Sequence, residues 1–182
     1  MRFFVNLSII IWMLSLAALA DSFIFLDGEP ARVLEEQGAT IYNGSPVKVL
    51  EIKENKAKIQ IEGYFLEDDS KTLYATKNRK VPLVALDSGN YEVASDMGSV
   101  TLYLDESLLL DDVETVWESN IDEFYNTCTQ CHAANEPHLH SMLEWDGLYG
   151  SMKEFARPTP EQDAMILRFL RAFASDGFVA FP

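Results

Sequence analysis

Cysteine is scarce in this 182-residue chain: there are two, Cys128 and Cys131, and no third or fourth thiol to offer another pairing. Basic residues are also few, 14 Lys and Arg against 29 Asp and Glu, for a formal net charge of −15. A surface this acidic argues against nucleic acid and against anionic lipid heads as partners. It suits a partner with a basic docking patch, reached by charge-steered, salt-sensitive association, and it also keeps an exported chain soluble. The cysteine pair lacks the preceding strand and βαβ setting that a redox dithiol wants. A second ligand pair at zinc spacing is missing too, unless His138 and His140 supply it. A short structural disulfide is the third plain reading of the pair. Between residues 38 and 105 nothing has the look of a catalytic constellation, and Asp68-Asp69 beside Glu67 reads as a solvated acidic loop rather than a cation site.

What is present is Cys128-x-x-Cys131-His132. Two thiols three positions apart on a helical turn can each add to a vinyl group of one haem, forming thioethers. The histidine that follows is then held under the iron as the proximal ligand. The spacing therefore predicts one covalently bound haem c on Cys128 and Cys131, with His132 on the iron.

The N-terminus fits that chemistry. Arg2 makes a short positive region, an apolar run follows, and Ala18-Leu19-Ala20 makes a small-x-small cleavage site. Residues 1–20 are expected to be a secretory signal peptide cut after Ala20, with an uncleaved anchor as the alternative, since the run is near the lower limit for a span. The expected destination is the periplasm. Cleavage removes a single basic residue, so the mature chain is one unit more negative. About 160 residues remain, enough for one domain or two small ones.

In chain order, residues 21–37 are a mixed N-terminal segment, with a short helix or turn over 31–37 closed by Gly38. Residues 38–105 read as strands. A short strand over 40–42 ends at Asn43-Gly44, and a hairpin follows, with alternation over 46–53, a turn at Glu54-Asn55 and alternation again over 57–63. Leu50 breaks the phase. Further strands are expected over 72–76, 80–86, 91–94 and 99–104. From residue 106 the period changes. Asp111-Asp112 can cap a helix whose apolar residues Val113, Val116, Trp117, Ile121, Phe124 and Tyr125 trace one face and run into Cys128. Thr159-Pro160-x-Gln162 starts a second helix, with Thr as cap and Pro at its first position. The order of the Gly38 turn, the long hairpin and Gly63-Tyr64-Phe65 resembles bacterial SH3-like modules, and two amphipathic helices bracketing Cys128-x-x-Cys131-His132 resemble the plan of a small cytochrome c. The expected fold class is therefore α+β: a small all-β SH3-like barrel (38–105) followed by a small all-α cytochrome c-like domain (106–176).

A second axial ligand is left open. Met152 lies seven residues before Thr159, the placement of a loop methionine ahead of a last helix; His140 is the alternative. His138 and His140 follow His132 closely for a chain that must reach the other haem face. Met142 can be core or haem cover, and Met165 reads as core. An empty sixth position would allow gas or peroxide chemistry instead.

Gly44-Ser-Pro-Val-Lys-Val-Leu-Glu-Ile-Lys, Ala57-Lys-Ile-Gln-Ile-Glu-Gly-Tyr, Cys128-x-x-Cys131-His132-Ala, His140-x4-Trp145 and Ser151-Met152 together resemble the C-terminal part of the pentahaem c-type cytochromes of trimethylamine N-oxide reductase systems. The likeness spans roughly residues 38–174, and the four-haem, quinol-oxidising section of that family is missing. The resemblance implies a free-standing monohaem carrier for anaerobic respiration, with no reaction or small-molecule substrate of its own. Its acceptor would be a periplasmic molybdenum N-oxide or S-oxide reductase, and its donor a membrane quinol-oxidising cytochrome. The competing functions are a docking or scaffold module with a secondary haem, and a haem sensor or peroxidase with an open sixth site.

Overall fold

The computed structural model describes residues 22–77, 81–87, 92–94 and 97–180, so the expected signal peptide lies outside the described residues. Among the described residues, ten strands form one curled antiparallel sheet. They are β1 (Ser22–Ile24), β2 (Ala31–Leu34), β3 (Ala39–Tyr42), β4 (Pro46–Lys53), β5 (Lys56–Leu66), β6 (Asp69–Tyr74), β7 (Pro82–Leu86), β8 (Glu92–Ala94), β9 (Met97–Asp105) and β10 (Leu109–Leu110). Three helices follow: α1 (Val113–Cys128), α2 (Met142–Ala156) and α3 (Pro160–Ala172).

The hairpin of β4 and β5 forms because its alternation buries Val47, Ala57, Ile59 and Ile61 on one side. Glu54 (φ 50°) and Asn55 (φ 64°) turn it with both dihedrals positive, the two-residue geometry that matches the twist of the flanking strands. Where Leu50 breaks the alternation, the register shifts between Val49 and Glu51, so the phase error becomes a bulge. β5 is long enough to pair β4, β6 and β9, and it curls the sheet around Ile24, Ile41, Ile59, Leu73, Val84 and Leu102. Residues 31–37 divide into β2 and a short 3-10 turn, which Gly38 closes at φ 58°.

The expected pairing of a small all-β SH3-like barrel with a separate all-α cytochrome c-like domain is incorrect. The chain instead curls a half-barrel sheet and packs its C-terminal helices onto it. β1 and β10, from either side of residues 38–105, pair with each other, and β1 also pairs β4. Phe23, Phe25, Val81 and Leu110 join the helical core, while Phe178 packs against both cores. A polar network crosses the junction. Asn43 accepts from Leu26 N (2.9 Å) and donates to Val116 O (3.0 Å) and to Asn120 Oδ1 (3.1 Å), and Asn120 donates to Met165 O (3.1 Å). Arg168 on α3 donates to Asn43 O (2.7 Å), Pro82 O (2.6 Å) and Ser45 Oγ (3.2 Å), with the faces of Tyr42 and Trp117 beside its guanidinium. Buried polar groups need partners, and here each element supplies the other's. The alternating and 3.6-residue patterns identify strands between residues 40 and 104 and two of the helices, but they miss β1, β2 and β10, and neither pattern registers such cross-links.

Candidate haem-attachment site

Asp112 caps α1 by accepting from Thr115 N at 3.1 Å, and Val116, Trp117, Asn120 and Phe124 turn inward. The helix ends at Cys128, but the coil continues for a further turn. Thr129 N–H and its hydroxyl both donate to Tyr125 O (3.0 and 2.6 Å), and Gln130 Nε2 donates to Asn126 O (3.0 Å). That turn carries Cys131 past Cys128. Both thiols are free; Cys128 is half-buried beside the helical core and Cys131 is exposed. Burial raises the Cys128 pKa, and the nearby Glu123 carboxylate raises it further. The thiol is thus held as S–H, the opposite of the lowered pKa of a redox dithiol.

His132 is exposed, and its Nδ1 lies 2.8 Å from Ala133 O. A carbonyl can only accept, so Nδ1 is the donor in this contact and Nε2 is the ring nitrogen it leaves free of Ala133. A metal-ligating imidazole uses this arrangement, its far nitrogen fixed by a backbone carbonyl.

Chain direction reverses through a 3-10 turn (Pro137–Leu139), and Trp145 Nε1 pins it by donating to Pro137 O at 2.7 Å. His140 stands edge-on to Trp145 (centroids 5.0 Å, planes 86°), and its Nε2 lies 3.4 Å from Asn135 Nδ2. His138 pairs with Glu136 at 3.6 Å. Ser141 and Glu144 then cap each other's main chain and start α2. This helix was not expected, although Ser141-x-x-Glu144 is a capping-box signature in the sequence. Met152 therefore lies on α2, not in a loop, and packs against the same apolar cluster as Cys128. Tyr149, one turn earlier, donates to Asp163 Oδ1 at 2.8 Å. Burial and then that carboxylate hold its phenol protonated, and it lies within electrostatic reach of Cys128 and Glu123. Met142 and Met165 are core, 1% and 9% exposed.

The structure thus gathers Cys128, Met152 and Tyr149 around one cluster, with Cys131 and His132 at its surface. Among the described residues no three His, Cys, Asp or Glu side chains converge as a metal cage, so Cys128, Cys131, His138 and His140 do not form a zinc site as placed. No described helix is long and apolar enough to cross a membrane. The donor set is of the kind haem c attachment needs: two free thiols three residues apart, an imidazole directly after them, and an apolar cluster beside Cys128. Comparison with known proteins finds no matching family model, curated protein or solved structure.

Proposed function

We propose that the chain is a single-haem c-type electron carrier of the periplasm, passing electrons to a terminal reductase. One observation carries this reading: His132 Nδ1 bonds to Ala133 O immediately after a turn bearing two free thiols. Cys128 and Cys131 would hold the haem by thioethers. Addition of each S–H across a vinyl group would consume no oxidant, because sulfur and hydrogen would both be retained in the product. His132 would be one protein ligand to the iron, and Met152, or alternatively His140, a second. Bound haem supplies one-electron exchange at iron, which thioether ligation tunes to a higher potential than two imidazoles do. The remaining residues exclude water from one side and fix the imidazole.

The acidic charge suits steered encounters with a basic partner. The sequence resemblance favours a molybdenum N-oxide or S-oxide reductase as acceptor, with a membrane quinol-oxidising cytochrome as donor.

Expression in a host that matures c-type haem tests this. The purified chain should carry the mass of one haem through denaturation and show a reversible redox spectrum, and Cys128→Ser with Cys131→Ser should abolish both. A fully exported chain without haem would end the proposal.

A further inference from the structure

Leu148, Met152 and Phe155 are spaced four and three residues apart on α2, so they share one flank of the helix, in line with Trp145. Burial fades along this row: Trp145 is 1% exposed, Leu148 38% and Phe155 85%. Its inner end is fixed, with Trp145 held by Pro137 O at 2.7 Å and packed edge-on to His140. The outer end leaves the Phe155 ring almost wholly in water, although burial of such a ring is favourable. α2 carries a second exposed flank around Leu143 (63%), where a Cβ added to Gly147 or Gly150 would meet nothing. Only the first flank is continuous with the attachment cysteines. Met152 joins the cluster that takes Cys128, and Tyr149, beside it on the helix, lies near Cys128.

We propose that Leu148 and Phe155 form the apolar cover of the bound haem, on either side of Met152, so that the flank exposed in the chain alone becomes buried in the holoprotein. This rests on the haem assignment above. The occupant is a flat apolar macrocycle tethered at Cys128, and helical spacing puts the neighbours of Met152 at four before and three after on the same surface. Phe155 then has a structural reason to be aromatic at an otherwise solvent-facing position.

Hydroxyl-radical footprinting read by mass spectrometry tests this on two full chains, the holoprotein and the haem-free Cys128→Ser/Cys131→Ser variant. Oxidation of Phe155 should fall about fivefold in the holoprotein, as expected for an 85% exposed ring covered by its ligand, and Leu148 should follow. Leu143 should react equally in both. Phe155→Ala holoprotein should keep its haem but have a lower reduction potential, because more solvent reaches the iron. Equal oxidation of Phe155 with and without haem overturns the proposal, as does protection that arises only when a reductase is added. A wild-type chain that gains no haem mass instead sinks the function proposed above, and the mass spectrum distinguishes that failure from the others.

Discussion

Arg168 Nε donates to the main-chain carbonyl of Asn43 at 2.7 Å, joining the last helix to a turn 125 residues earlier. Its guanidinium is buried, and its three hydrogen bonds go to neutral oxygens. Burial pulls its pKa down to about 9, still above neutral, so a charged group holds the junction under ordinary conditions.

Replacing Arg168 with Met removes the donors for Asn43 O, Pro82 O and Ser45 Oγ while keeping much of the volume. Leaving buried acceptors unpaired should cost about 2–4 kcal/mol, read as a lower urea midpoint. Sheet and helices should unfold in one transition in the wild type. Two separate transitions would contradict the coupling of the two cores through this junction.

Gly44 has φ 71°, and a Cβ there would lie inside the Trp117 indole. Gly44→Ala is therefore expected to lose about 2 kcal/mol or more, from strain and from displacement of the ring. A chemical-denaturation curve that superimposes on wild type would refute the packing of Trp117 over this turn.

In the holoprotein, Met152→Ala should retain covalent haem, lose the weak far-red band of iron–thioether bonding and fall in reduction potential. If the wild type shows no such band, Met152 is not the ligand, and His140→Ala becomes the informative variant.

Tyr74 is buried and donates to Asp69 Oδ2 at 2.7 Å. Burial, and then this carboxylate, push its pKa up from 10 to about 12. Because the folded pKa is raised, the stabilisation is whole below pH 10 and is lost as pH climbs through 12. Stability should fall across that window, and Tyr74→Phe should fall less steeply. Equal slopes in the two proteins, measured by denaturant titration at each pH, would remove Tyr74 as the source. Tyr149, whose pKa is also raised, contributes to both curves alike.

Much of the local structure could be read from residue spacing. Alternation at Val47, Ala57, Ile59 and Ile61 marked the hairpin, and Thr159-Pro160-x-Gln162 marked the start of α3. α2 is harder to read, because Gly147 and Gly150 weaken the helical pattern that follows the Ser141-x-x-Glu144 cap. Arg168 offered no signal. A lone arginine on an amphipathic helix reads as solvent-facing, and only the fold brings Asn43, Ser45 and Pro82 to it.

By itself the sequence determined which groups meet at this turn, since two thiols at that spacing with a following histidine are adjacent in any helical continuation of α1. Tertiary structure decided what surrounds that turn. The side of α2 that reaches Cys128 and the burial of Arg168 depend on contacts between residues far apart in the chain. Local periodicity carries no information about such contacts, because each is set by which apolar faces meet and which polar groups must be satisfied when they do.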